Sequence, residues 1–178
     1  MRAMLGLALV VLLGQGVARA EESSGEKVVR QLSCKTAMTF MEVHGTQITY
    51  RRPDGTILLW YPGNKVVLPG LWKIVMRPIS RPPSEWAEIC HFYFTPGRNP
   101  ATDRPGNEWA CIPLEWLDRR TVERVPGDVF SLSARSAVPF PLAREKATIS
   151  NVLDAVRKAD ALRGFQPPAE KSQCDKTS

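Results

Sequence analysis

The chain has 178 residues, 43% hydrophobic and 24% charged, with a formal net charge of +6. That length can bury one sizeable core and seldom two, since domains cluster near ~100–150 residues. Its basic residues come in ones and twos, as in Arg51-Arg52, Arg119-Arg120 and Arg124, with Asp54, Glu115, Asp118 and Glu123 close by. This pattern is a mixed, solvated surface rather than a polyanion site, and it argues against nucleic acid as a partner.

Residues 1–20 have the three parts of a cleavable secretion signal: basic Arg2, an apolar run from Met4 to Leu13 with Val17, and Ala18-Arg19-Ala20 before Glu21-Glu22. The run is about ten residues, roughly half of what a helix needs to cross a bilayer. The mature chain is therefore expected to begin at Glu21, to carry no transmembrane span, and to be periplasmic or secreted. Losing Arg2 and Arg19 leaves 22 basic against 18 acidic residues, a net charge of +4. Four cysteines remain, Cys34, Cys90, Cys111 and Cys174, an even number that in an exported chain points to two disulfides. No pair has the C-x-x-C spacing of a zinc site, and no metal or cofactor is expected.

Residues 21–45 read as a polar arm and a short helix contacting through Val28, Val29 and Leu32. Thr36 to His44 leans towards helix, with Gly45 as its C-cap. From Thr46 the period becomes that of strands. Ile48 and Tyr50 alternate with Gln47, Thr49 and Arg51, and Pro53-Asp54-Gly55 makes a hairpin turn before the run Thr56 to Tyr61. A turn at Pro62-Gly63-Asn64, a short strand Lys65 to Leu68, a turn at Pro69-Gly70 and a strand Leu71 to Met76 complete a meander. Pro78 to Ser84 is loop.

Trp86 to Phe94 and Asn107 to Pro113 then flank a loop from Thr95 to Gly106. If Cys90 faces Cys111 across this hairpin, antiparallel pairing also sets Phe92 opposite Trp109, an aromatic pair of the stabilising kind. Opposed residues in such a pair lie within disulfide reach. Cys34 and Cys174 are left to each other, tying the arm to the tail. Val129 to Ala134 reads as a last strand. Ile149, Val152, Leu153, Val156 and Ala159 share one face of a helix that Thr148 or Ser150 can cap and Gly164 can stop, with Asp154 and Lys158 paired at i and i+4. Residues 165–178 form a polar tail. The organisation is thus a signal at 1–20, an arm and helix at 21–45, one β-rich domain with its C-terminal helix at 46–164, and the tail.

Catalytic signatures are absent: no G-x-S-x-G, H-E-x-x-H, P-loop, dinucleotide fingerprint or C-x-x-C occurs. His91 reads as an ordinary strand residue and His44 as a helix-end residue. Glutamates precede tryptophans three times, as Glu85-Trp86, Glu108-Trp109 and Glu115-Trp116. Paired acids on aromatic platforms occur in sugar-processing sites, but neighbours on a strand point opposite ways, so the simpler expectation is a buried Trp with its Glu in solvent. The alternative is that Trp86, Trp109 and Trp116 include an exposed subset forming a binding face.

Asp54-Gly55-Thr56 in a hairpin, Gly70-Leu71-Trp72 opening a strand, and Cys90 with Cys111 in strands resemble small exported bacterial proteins of uncharacterised function carrying the same D-G-T, G-x-W and paired cysteines. The likeness covers about residues 46–112. More remotely, it is similar to small periplasmic β-barrel inhibitors of proteases and lysozyme. It implies structural roles for Asp54, Gly55, Gly70 and Trp72 and no catalytic residue.

The fold expected is α+β: an antiparallel meander or partial barrel of five to seven strands with a helix near each end. The function expected first is a non-catalytic binding or envelope-associated protein, whose partner is an envelope protein or a glycan. An inhibitor of an envelope hydrolase comes second, and a small carboxylate-dependent hydrolase third.

Overall fold

Seven strands form one antiparallel sheet in the order β6-β5-β4-β3-β2-β1-β7, curled into a half-barrel. The structure, a computed structural model, describes residues 22–78, 85–95, 105–167 and 174. The secretion signal expected at residues 1–20, the Pro78–Ser84 loop after its first residue, most of the Thr95–Gly106 loop and the tail apart from its start and Cys174 lie outside the described residues. In chain order the elements are α1 (Ser24–Leu32), β1 (Lys35–Met41), β2 (Gly45–Arg51), β3 (Thr56–Trp60), β4 (Leu68–Pro78), β5 (Glu85–Tyr93), β6 (Ala110–Pro113), α2 (Leu114–Arg120), β7 (Thr121–Pro126) and α3 (Ile149–Arg163). The mostly-β meander and partial barrel expected from the sequence are present, with seven strands and three α-helices among the described residues.

Alternation divides each strand between two faces of the sheet. On one face Met38, Ile48, Tyr50 and Trp60 pack against Phe130, Leu132, Val138, Leu142 and the Ile149, Val152, Val156 stripe of α3. Trp60 is fully buried and meets Phe130 and Phe140 edge-on, with centroids 5.9 and 5.2 Å away. On the other face Ile57, Trp72 and Ile89 pack against Leu32 of α1 and Leu117 of α2. The helices are placed by their ends. Ser23 and Glu26 form a capping box on α1. Thr148 accepts from the Asn151 N–H, the Glu123 carboxylate accepts from the Ile149 N–H at 2.9 Å, and Gly164 closes α3 at φ +65°.

Several local expectations are corrected. Thr36 to His44 is not helix. It is strand β1 and the turn after it, because β1 lies between β2 and β7 with both faces covered, so burial runs continuously from Thr36 to Thr39 and erases the alternation. No turn forms at Pro69-Gly70, which lies within β4. Pro69 offers the ladder a carbonyl, accepting from Phe94 N–H at 3.2 Å, while Val66 makes only an isolated bridge to Ala137. The strand expected at Val129 to Ala134 is a turn and a short 3-10 helix, Leu132–Ala134. The Asp128 carboxylate takes the Leu132 and Ser133 N–H groups there and leaves them nothing for a ladder. The strand at this end of the chain is β7, preceded by the unanticipated α2. Asp154 pairs with Arg157 at 3.2 Å, not with Lys158.

Among the described residues no helix is long and apolar enough to cross a membrane. Two disulfides are present, Cys90–Cys111 across β5 and β6 and Cys34–Cys174.

Candidate functional site

The D-G-T and G-x-W motifs meet in space. Asp54 accepts from the Thr56 N–H at 2.8 Å and Gly55 turns the chain at φ +86°. The Trp72 indole N–H donates to the Arg52 carbonyl at 2.9 Å, locking the β2–β3 hairpin to β4. A Cβ at Gly70 would strike the Phe92 carbonyl oxygen and lie 2.7 Å from the Tyr93 ring. Gly70 therefore exists to let that ring lie over the strand. These four residues build the scaffold between two distinct surfaces.

The first surface is on the α3 face. The segment from Val129 to α3 covers β1–β3 and stops short of β4–β6, so the aromatic residues beyond it stand open. Leu71 pairs with Phe92 in register, Phe92 contacts Phe94 at 5.4 Å and Trp109 at 5.6 Å between centroids, and the Lys73 ammonium lies 4.2 Å over the Trp109 ring. The Cys90–Cys111 disulfide sits in the same face and holds β6 in the register that presents Trp109. The expectation of buried tryptophans beside solvated glutamates fails here. Trp86, Trp109 and Trp116 are 41%, 42% and 50% exposed, and the buried pair is Trp60 and Trp72. Strand parity puts Trp86 on the same face as Phe92 and Trp109. Trp116 stands apart on α2, where it borders a shallow depression with Arg119 and Arg120. Of the acids that precede these tryptophans Glu115 is bound to Arg119, and Glu88, further along β5, is bound to Arg77 at 2.9 Å. Glu88, Cys90 and Cys111 bring three potential metal-ligand atoms within 4.8 Å, but both sulfurs are spent in the disulfide.

The second surface is interior, on the α1/α2 face. Arg51, Ile57, Gly70 and Tyr93 follow one another across β2, β3, β4 and β5 in register. Arg51 reads from sequence as a surface charge on the solvent side of a half-buried strand. The structure buries it to 1% exposure, because α1 and α2 cover that face as well. Burial lowers its pKa to about 10, with Tyr93 and Asp118 opposing that shift and Arg124 adding to it. Burial pushes Tyr93 up to about 12 and His91 down to about 3, the latter helped by the Arg51 charge. His91 is thus neutral at physiological pH, stacked on Tyr93 at 6.1 Å. His44 lies in the β1–β2 turn rather than at a helix end, its pKa lowered by burial and by Arg120 and Arg144.

Compared with known proteins, the chain matches no family model, no curated protein and no solved structure. The resemblance drawn from sequence therefore rests on the motif residues alone.

Proposed function

We propose that the protein is an exported, non-catalytic binding protein, periplasmic or secreted, that engages a protein partner in the cell envelope through the aromatic strip of Leu71, Phe92, Phe94 and Trp109. The observation carrying this reading is the strip itself: contiguous large apolar side chains left open by the covering segment, interleaved with Lys73 and held by a disulfide. Clustered exposed aromatic residues are enriched at interface centres. A glycan partner would need the Trp109 face, which Lys73 occupies. Two disulfides support an oxidising compartment, since thiols in the cytosol are kept reduced.

The test is photo-crosslinking in the producing cell, with a crosslinker at Phe94 or Leu71 and a control at Leu162, which is exposed on α3. The expected result is one discrete protein adduct from the strip positions and none from Leu162. Equal adducts from all three, or none from any, would reject the reading. Quenching of tryptophan emission by envelope glycan without a protein adduct would replace protein by glycan.

A second reading is inhibition of an envelope protease or lysozyme-type hydrolase. Its support is the Cys90–Cys111 staple, which braces the strands leading into the loop that follows β5. Residual activity of such a hydrolase titrated against the pure protein separates it from simple binding.

A further inference from the structure

We infer that the interior of the α1/α2 face is a binding site for a small monoanionic carboxylate, held by the guanidinium of Arg51 with Arg124, His91 and Tyr93 around it. This site is separate from the aromatic strip, and the inference stands or falls without it.

Arg51 is among the largest fully buried side chains of the protein, and its Nε has no hydrogen-bond partner. No carboxylate among the described residues lies within ion-pair distance of it. Two more buried nitrogens without partners belong to the same face, Nε2 of His91 and Nε of Arg124. Arg124 is placed there by its pairing with Ala37 on β1. A buried charge without a partner is strongly destabilising, and a bound counter-charge relieves that cost. Arg51 is the link between these groups: its charge is felt by His91 and Tyr93 on one side and it feels the charge of Arg124 on the other. The absence of a side chain at Gly70 sets the Tyr93 ring over β4.

The local charge selects the ligand. Arg51 and Arg124 are cations, Asp118 is an anion paired with Arg124 at 3.1 Å, and His91 is neutral, which leaves one positive charge uncompensated. One carboxylate balances it and offers two acceptor oxygens to the fork of a guanidinium. A phosphate dianion would leave the interior negative. Arg124 and Asp118 at the edge of the cluster are 25% and 55% exposed, and an exposed ion pair opens at little cost.

The experiment compares thermal unfolding of the whole mature protein in acetate, phosphate and chloride at equal ionic strength, for wild type and Arg51→Met. The expected result has two parts. Acetate raises the wild-type midpoint progressively with concentration, more than phosphate or chloride, and has no specific effect on Arg51→Met. In chloride alone Arg51→Met unfolds at or above the wild-type temperature, because methionine removes an uncompensated buried charge. Equal responses in both proteins, or none, would overturn the site, and a stronger response to phosphate would overturn the carboxylate assignment. Should Arg51→Met not fold, the Arg51 Nε–H resonance of the unaltered protein decides. It moves and saturates with acetate if the site is real, and stays fixed if it is not.

Discussion

The two halves of the sheet treat the same residue type in opposite ways. In β1–β3 both faces are covered, and Trp60 has no exposed surface. In β4–β6 one face is covered by α1 and α2 and the other is open, and Trp109 stands 42% exposed on it. Neither composition nor β-propensity distinguishes the two tryptophans. What separates them is how far the segment after β7 reaches across the sheet, a property of tertiary structure that assigns one aromatic to the core and another to the surface.

That contrast can be broken by mutation. The largest effects are expected in the disulfides. Removing Cys34–Cys174, which spans 140 residues and ties down the covered half, should cost about 5 kcal/mol in the chain-entropy model, and removing Cys90–Cys111, spanning 21, about 3 kcal/mol. Urea unfolding of Cys34→Ser/Cys174→Ser and Cys90→Ser/Cys111→Ser variants measures both, and a reversed order would mean that the open half depends more on its staple than loop length implies.

Next come the tryptophans. Trp60→Ala should lose about 3–5 kcal/mol by opening a cavity against Phe130 and Phe140, whereas Trp109→Ala should lose no more than about 1 kcal/mol while abolishing the strip crosslink. Similar losses for the two would show that the strip is core, not surface.

The last effect is a pH slope confined to the α1/α2 face. His91 has a folded pKa of about 3 against 6.5 unfolded, so the unfolded chain binds the extra proton between those values. Stability is full above pH 6.5 and should fall below it by about 1.4 kcal/mol per pH unit. His91→Gln should flatten that slope, as followed by midpoint temperature between pH 7 and 5. An unchanged slope would mean that carboxylates elsewhere dominate the acid limb.

The parts legible in the sequence are those with local causes. Pro53-Asp54-Gly55 dictates its hairpin through its own backbone preferences. Cys90 opposite Cys111 fixes the register that brings Phe92 against Trp109. The illegible parts depend on distant partners. β1 hides its alternation because elements far along the chain cover both its faces, α2 on one and the segment from Val129 to α3 on the other. β7 itself carries β-branched Thr121, Val122 and Val125 before Pro126-Gly127, a strand signal that the charged pair Glu123-Arg124 interrupts. Arg51 is the sharpest case: the strand period places it opposite Ile48 and Tyr50, on the side expected to face water, and only the packing of α1 and α2 there turns an ordinary surface arginine into a buried one. The aromatic strip was half legible, since the number of tryptophans raised the prospect of an exposed set without saying which.

The Cys34–Cys174 bond makes the folded chain a covalent ring from the start of β1 to beyond α3. A protease that cuts once anywhere between those cysteines separates no fragment, and the nicked molecule gains only the mass of one water. Tension applied to the chain outside the two cysteines passes through one sulfur–sulfur bond, and the strands between them are spared the load.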